Sequence, residues 1–192
     1  MQIDNPKRGF TYKVPGPLDL RLNPERGQSA AGLLESISEA ALEKMLRDHS
    51  DEPFAKPIAR AVCARRGQVQ TTTELAAVIR SVLDGLVLDD RETILRKTCA
   101  RCFQALRIAV NDEFSALEGL LRSLSFCLRP GGRVAILTFH SGEEKRVVQA
   151  FADGLAAGIF REISPEPIRA SAQERFDNPR SKSARLHWAR AV

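Results

Sequence analysis

The stretch Leu128–Ser141, reading L-R-P-G-G-R-V-A-I-L-T-F-H-S, predicts a turn, a strand and the start of a helix. Pro130-Gly131-Gly132 is a turn signal, because proline fixes φ and glycine adopts conformations closed to other residues. The unbroken apolar run Val134–Leu137 suits a strand that is covered on both faces, as in a parallel sheet. From Gly142 a helical pattern follows, with Val147, Val148 and Phe151 on one side. The stretch therefore predicts an α/β fold.

His140 and Ser141 are the first polar residues after this predicted strand. Open α/β sheets bind ligands beyond the carboxyl ends of their strands, so both residues are candidates for a functional site. As neighbours on a strand they would point to opposite faces and could not pair as nucleophile and base. The sequence also lacks a G-x-S-x-G elbow, which argues against a hydrolase. Two readings stay open: the pair holds a ligand by hydrogen bonds, or it caps and packs the next helix.

The composition is that of a soluble globular protein, with 43% hydrophobic and 28% charged residues in a chain of 192. No apolar run approaches the roughly 20 residues that cross a membrane, and the first residues lack a signal-peptide pattern. Four cysteines lie on apolar or helical stretches, which favours a reduced, cytoplasmic protein. Cys99 and Cys102 form a single C-x-x-C without a second ligand pair, so they read as neighbours on a helix rather than as a metal site.

Residues 29–84 show the pattern of a compact helical block. Ser29 and Ser38 stand where they can cap two helices, and Thr71 to Glu74 has the form of a capping box. Residues 93–110 and 114–128 predict two further helices, and the alternation in residues 183–191 predicts a final strand. Residues 159–168, which contain two prolines, predict a mixture of loop and strand.

Basic residues are concentrated in a few places, and the net charge is +5. Residues 54–73 carry Lys56, Arg60, Arg65 and Arg66 without an acid, and the tail beyond Phe176 carries four more cations against Asp177 alone. Such clusters suit a polyanion, although a solvated basic face explains them equally well.

The first 26 residues contain too many prolines and glycines for a long helix or strand, and we expect an ordered loop pinned by its apolar residues. Arg21, Arg26 and Gln28 crowd one polar loop near Asp19. The guanidinium groups of the two arginines could grip RNA phosphates, or Arg–Asp pairs could simply fix the loop.

Several motifs together resemble one family along nearly the whole chain. They are Met1-Gln-Ile-Asp-Asn-Pro-Lys-Arg-Gly-Phe10, Gly16-Pro-Leu-Asp-Leu-Arg21, Arg26-Gly-Gln-Ser-Ala30, Phe103-Gln-Ala-Leu-Arg-Ile108, Asn111-Asp-Glu113, Thr138-Phe-His-Ser141 and Asn178-Pro-Arg-Ser-Lys-Ser-Ala-Arg185. In this order they resemble the bacterial ribosomal RNA small subunit cytosine-N4 methyltransferases of type H. The turn and strand from Leu128 are also similar to the fifth-strand entry of class I S-adenosylmethionine methyltransferases.

The resemblance implies the carboxyl-terminal part of a Rossmann-like class I methyltransferase with a helical insertion. It divides the chain into an active-site and substrate loop at 1–28, a helical insertion subdomain at 29–102 and a methyltransferase part at 103–192. It implies S-adenosylmethionine as cofactor, no metal, and N4-methylation of a cytidine in the decoding region of small-subunit ribosomal RNA. The partner would be that RNA or the small ribosomal subunit, without a membrane, and a homodimer stays open.

The same resemblance suggests site residues. Gln2 corresponds to a family cofactor contact, and the catalytic candidates are His140, Ser141 and Asn111. Candidates for RNA binding are six cations: Arg8, Arg21, Arg26, Arg180, Lys182 and Arg185.

The chain departs from the family pattern before Gln2. The family's glycine-rich cofactor loop, its acidic residue for the ribose and an Asp-Leu-Gly-Val-Ser-Ser segment do not occur in this sequence. What is missing amounts to roughly three βα units of about 30 residues each. The alternative to an enzyme is therefore a non-catalytic RNA-binding remnant, and we expect weak or no cofactor binding by this chain alone.

Overall fold

The structure, a computed structural model, describes residues 5–192. The chain divides into two units, Met1–Glu113 and Phe114–Val192, and each is described by itself. Within the described residues, the first unit is helical and the second combines helices with a small antiparallel sheet. The prediction that the chain combines helices with strands is confirmed.

Short polar side chains begin the helices of the first unit, as predicted. The Ser29 hydroxyl accepts a hydrogen bond from the N–H of Gly32, and that of Ser38 accepts one from the N–H of Ala41. Thr71 and Glu74 form a capping box in which each side chain accepts from the other residue's backbone N–H. The helices are α1 (Ala30–Ser36), α2 (Glu39–Ser50), α3 (Ala55–Cys63), α4 (Thr72–Asp84) and α5 (Arg91–Asn111).

The loop ahead of α1 is anchored to the helical core by two leucines. Leu18 and Leu20 are each only 1% exposed, and both belong to the core formed by the buried faces of α1 to α5. The backbone N–H of Leu18 donates to the carbonyl of Gln70, and that of Leu20 donates to the carbonyl of Arg8. The predicted pinning of this loop is confirmed for these residues, whereas Val14 and Leu22 remain exposed. A 3₁₀ helix, Pro6–Arg8, lies at its start.

The second unit contains a sheet in the order β1-β4-β2, and β3 also pairs with β4. Its elements are α6 (Glu113–Cys127), β1 (Arg133–Thr138), α7 (Ser141–Ala156), β2 (Phe160–Ile163), β3 (Ile168–Arg169), α8 (Ala172–Asp177), a 3₁₀ helix (Pro179–Ser183) and β4 (Arg185–Ala191). The sequence did not predict α8, because this one-and-a-half-turn helix has no buried residue and hence no apolar period. It is marked only by Ser171, whose hydroxyl caps the N–H of Glu174.

The strand predicted at Val134–Leu137 forms, and among the described residues its neighbour is antiparallel and one of its faces is covered. β1 pairs antiparallel with β4, and Val134 and Ile136 pack on the core that contains Leu124, Val147 and Phe151. Ala135 and Leu137 face the opposite side of the sheet and are exposed. An apolar run shows that a strand can be buried, but it carries no information on the direction of its partner.

No helix among residues 5–192 combines the length and the apolarity that a bilayer crossing requires.

Candidate functional site

The turn before β1 is built as the glycines predict. Gly131 has a φ of 72°, and the N–H of Gly132 donates to the carbonyl of Arg129 at 2.8 Å. A Cβ on Gly132 would lie 2.7 Å from that carbonyl oxygen, so a side chain does not fit here. The two glycines close a tight turn and form no cradle for a phosphate or a cofactor.

His140 is the N-cap of α7 rather than a strand residue, which corrects the sequence interpretation. Its Nδ1 accepts a hydrogen bond from the N–H of Glu143 at 3.4 Å, so the ring proton of a neutral imidazole lies on Nε2. Nε2 is 3.3 Å from Oε1 of Glu143 but lacks hydrogen-bond geometry. The ring also lies beside Phe114, with the centroids 6.1 Å apart. The geometry agrees with the capping alternative.

Phe139 and Ser141 flank this cap. The backbone N–H of Phe139 donates to Oε2 of Glu143 at 2.8 Å, while its ring is half exposed. Ser141 is exposed and begins α7, so the expected strand alternation of His140 and Ser141 does not apply. Glu143 therefore fixes the chain at the carboxyl end of β1.

Asn111, the third catalytic candidate, lies in the first unit at the end of α5. Its Nδ2 donates to the carbonyl of Leu20 at 2.8 Å and to that of Arg107 at 2.8 Å. Its Oδ1 accepts from the N–H of Leu22 at 2.6 Å. Both ends of the amide thus hold the loop on either side of Arg21.

The three arginines of the first loop are placed differently. Arg21 forms a two-pronged ion pair with Asp19, at 2.6 and 3.1 Å, and donates to the carbonyl of Gly27. This hydrogen-bonded guanidinium lowers the pKa of Asp19. Arg8 donates to the carbonyls of Arg21 and Leu22. Arg26 is exposed and has no ion-pair partner within residues 5–192.

The cations of the tail lie around the 3₁₀ helix Pro179–Ser183. Arg180 and Lys182 are exposed, and the N–H of Arg180 donates to Oδ1 of Asn178. Arg185 is half buried at the start of β4, where its guanidinium donates to the carbonyls of Lys182 and Ala184. Lys182 thus presents its side chain to solvent, whereas Arg185 braces the backbone.

Comparison with known proteins gives one consistent result. The model of the MraW methylase family matches residues 1–192. The chain belongs to this family. A ribosomal RNA small subunit methyltransferase H 1 from Agathobacter rectalis is 50% identical over 98% of this chain and 55% of its own length. The corresponding proteins of Thermomicrobium roseum and Prochlorococcus marinus are each 38% identical, over 100% and 98% of this chain.

This member of the MraW methylase family spans about half to three fifths of the length of those relatives, from 55% to 62%. Gln2, which the resemblance relates to the cofactor, lies outside the described residues. Residues 5–192 themselves contribute no glycine-rich cradle, since Gly131 and Gly132 only close a turn.

The two cysteines of the C-x-x-C lie on the buried face of α5 in this MraW family member. Both are 1% exposed within the helical core. Burial raises the pKa of Cys99 to about 11 and moves the pKa of Cys102 well above its ordinary value. Both are therefore neutral thiols near pH 7, which is the state expected of packed core residues.

Three arrangements in the second unit of this family member were not foreseen from the sequence. Arg146 pairs with Glu118 at 2.8 Å and lies 3.5 Å above the ring of Phe114. His187, buried on β4, lies 3.3 Å from Glu144 of α7. A cavity of about 300 Å³ opens beside Phe139 and is bordered by β3, α8 and the 3₁₀ helix. Each joins residues far apart in sequence, and only the half-exposed aromatic in Thr138-Phe-His-Ser141 could have pointed to the cavity.

Proposed function

We propose that this chain forms part of an enzyme that methylates ribosomal RNA of the small subunit. The reaction would transfer the methyl group of S-adenosylmethionine to the N4 amine of a cytidine in the decoding region. One observation carries the proposal: relatives with 38–50% identity along nearly the whole chain are named ribosomal RNA small subunit methyltransferases. The choice of N4 and of cytidine is what the resemblance of the sequence motifs to the family implies.

The proposed fold is a Rossmann-like class I methyltransferase domain interrupted by a helical insertion. In this proposal residues 29–102 form the insertion, residues 103–192 belong to the methyltransferase domain and residues 1–28 form a substrate loop. The packing of α6 and α7 against one face of the sheet supports it. The exposed opposite face of β1, with Leu137 half uncovered, is also what an internal strand of a larger sheet would show.

The described residues do not fit a complete cofactor site. S-adenosylmethionine carries a charged sulfonium, a ribose and an adenine, which require a backbone cradle and an acidic group for the ribose. Residues 5–192 offer neither beside the Gly131–Gly132 turn. We therefore assign no cofactor contact to them and propose that this part of the enzyme serves chiefly the RNA.

The chain's own contribution would be to hold and orient the substrate. The lone pair of the exocyclic amine is delocalised into the cytosine ring, so alignment of the amine matters more than a strong base. The groups at the carboxyl end of β1 are fixed for such a task. The carboxylate of Glu143 accepts a hydrogen bond from the N–H of Phe139, and the ring of His140 accepts one from the N–H of Glu143. In this proposal His140 and Asn111 are positioning residues rather than catalytic ones.

RNA would be contacted through exposed cations. Arg26 in the first loop and Lys182 in the tail present unpaired charges among the described residues, and Arg180 is exposed beside Lys182. Arg8, Arg21 and Arg185 are committed to backbone carbonyls or to Asp19 and would shape the loops that carry those charges. The partner is small-subunit ribosomal RNA or the subunit itself.

The alternative is a remnant that binds RNA without catalysis. It is not favoured, since relatives that share 38–50% of its residues are named as methyltransferases. Fragment complementation separates the two. The chain is produced in a bacterium lacking its own enzyme, with or without the part of the Agathobacter rectalis protein that this chain does not cover.

We expect N4-methylcytidine in small-subunit RNA, measured by mass spectrometry of nucleosides, only when both parts are present. The uncovered part alone is the control. The absence of N4-methylcytidine with both folded parts present would contradict the proposed function.

A further inference from the structure

A cavity of about 490 Å³ opens in the first unit between the first loop, α4 and α5. Tyr12 of the loop lines one side, and Ala76 and Ala77 of α4 line another. From α5 come Leu95 and the buried Cys99. The function proposed above makes no use of this cavity.

The loop beside the cavity is held in place at two points. The hydroxyl of Tyr12 donates to the carbonyl of Arg96 at 3.3 Å, which ties the loop to α5. The hydroxyl of Thr72 donates to the carbonyl of Val14 at 3.1 Å, which ties it to α4. Lys13 lies between these two anchored residues and lines the cavity. Its backbone is therefore fixed there independently of any ligand.

Cations outnumber acids around the cavity. Lys13, Arg80 and Arg96 come from the loop, α4 and α5, and Glu92 is the one acid among the described lining residues. The carboxylate of Glu92 lies 3.0 Å from Nη1 of Arg80, so these two charges compensate each other. Lys13 and Arg96 form no ion pair within residues 5–192. Asp90 lies within reach of the charge of Arg96, but it caps α5 outside the cavity. The excess of positive charge favours an anion as ligand.

The placement of the donors favours a phosphate among anions. The cations approach the cavity from three separate elements, and Thr73 and Thr93 add hydroxyl donors to its lining. A carboxylate carries both oxygens on one side. A phosphate carries acceptor oxygens in several directions and can bind an ammonium and a guanidinium group at once.

We propose that this cavity is a binding site for a phosphate group, carried by RNA or by a free phosphorylated molecule. Lys13 and Arg96 bind the phosphate oxygens, while Arg80 stays paired with Glu92. The inference does not rest on the proposed function, because the binding groups all belong to this chain.

Tyr12 provides a direct probe, because it is the single tyrosine of the chain. Incorporation of 3-fluorotyrosine places one fluorine beside the cavity, and its NMR signal is followed while inorganic phosphate is added at constant ionic strength. We expect a saturable shift with phosphate and none with acetate at the same concentrations. Lys13→Ala and Arg96→Ala should each weaken the affinity for phosphate by about tenfold, the effect of one hydrogen bond between charged groups.

A variant of opposite effect and two controls complete the set. Glu92→Gln removes the acid and releases Arg80, so it should strengthen phosphate binding by about threefold. Lys97→Ala removes a cation from α5 next to Arg96, and Lys56→Ala removes one from α3; both side chains are exposed and lie outside the cavity. The two controls should bind phosphate like the unmodified chain. Circular dichroism should show similar melting temperatures for all five variants, since every substituted side chain is exposed.

A fluorine signal that stays unmoved by phosphate, or that moves equally with acetate, would overturn the site. Equal affinities of Arg96→Ala and Lys97→Ala would overturn it as well. Titrations with a single-stranded RNA oligonucleotide and with a nucleoside monophosphate distinguish the two sources of the phosphate. A shift with the RNA assigns the site to an RNA backbone, and a shift with the monophosphate but not with the RNA assigns it to a free phosphorylated molecule. These outcomes are independent of fragment complementation, since they require this chain alone.

Discussion

The side-chain amide of Asn111 holds the peptide group of Leu20 in a left-handed conformation. Nδ2 of Asn111 lies 2.8 Å from the carbonyl oxygen of Leu20, whose φ is 64°. A branched side chain rarely adopts this conformation, and it persists only where surrounding contacts impose it. The burial of Leu20 and the second bond of Asn111, to the N–H of Leu22, supply those contacts. The loop that carries Arg21 is therefore shaped from the end of α5.

Replacing Asn111 with alanine should act on stability. It leaves the N–H of Leu22 and the carbonyl of Leu20 without their partner, which costs about 1–3 kcal/mol for half-buried groups. The free energy of unfolding in urea measures this. Asn23→Ala, which loses only a local bond to the N–H of Glu25, is the control and should change it by less than about 0.5 kcal/mol. An unchanged stability of Asn111→Ala would favour the catalytic role that the sequence suggested.

Alanine substitutions of Arg21 and Arg26 should have different effects, the first on the stability of the chain and the second on its affinity for RNA. Arg21→Ala removes a two-pronged ion pair with Asp19 and should lower the unfolding free energy. Arg26→Ala should leave stability unchanged and reduce the slope of log affinity for RNA against log salt by about one. Filter binding over a range of salt concentrations, together with thermal melts, measures both. The opposite pattern would show that Arg21 is the RNA contact.

Glu52 should make the stability of the chain depend on pH. Its side chain is buried, and desolvation raises its pKa above the ordinary 4.5 despite the hydrogen bond from the N–H of Phe54. The folded chain therefore favours the protonated form. The corresponding stability is complete below about pH 4.5 and is lost as the pH rises through the higher folded pKa.

Glu52→Gln should remove the loss of stability that accompanies a rise in pH above about 4.5. Free energies of unfolding in urea, measured from below this pH upward, test this. Glu25→Gln, at an exposed loop position, serves as the control. Parallel pH profiles of the unmodified chain and Glu52→Gln would contradict the assignment.

Two helical glycines in the second unit should respond oppositely to alanine. A Cβ on Gly154 would lie 2.6 Å from the buried ring of Phe160, so Gly154→Ala should cost about 1–3 kcal/mol. A Cβ on Gly119 would lie 3.9 Å from Nη2 of Arg122, the one atom within 4 Å among residues 5–192, and Gly119→Ala should gain up to about 1 kcal/mol from helix propensity. Chemical denaturation of the two variants measures both changes in the free energy of unfolding. A gain at Gly154 would show that α7 and β2 are not packed as described.

The cysteines should differ strongly in reactivity. Cys127 is exposed and should react with iodoacetamide first, while Cys99 and Cys102 are buried with raised pKa values and should react only after unfolding. Mass spectrometry of peptides labelled at pH 7.5, with and without urea, identifies the modified residues. Rapid labelling of Cys99 in the folded chain would revive the redox or metal alternative.

Local features of this chain were predictable because their partners are close in sequence. Ser29, Ser38 and the pair Thr71–Glu74 cap helices through bonds that span three residues. The alternation in Arg185–Ala191 likewise marked β4, since strand faces repeat every two residues. Signals of this kind identified the helical block, the strand after the Pro-Gly-Gly turn and, through the motifs, the family.

The tertiary structure alone decided everything that depends on distant partners. β1 runs antiparallel to β4, whose Ala189 faces Val134 from 55 residues further along the chain, and no apolar run encodes that direction. His140 caps α7 by accepting a hydrogen bond from the N–H of Glu143, whose carboxylate in turn accepts one from the N–H of Phe139 at the end of β1. The contacts of Arg21 with Asp19 and of Asn111 with the carbonyl of Leu20 likewise exist only in the folded chain. A sequence shows which side chains are present. The folded structure determines which of them form hydrogen bonds or ion pairs with one another and which remain available to a ligand.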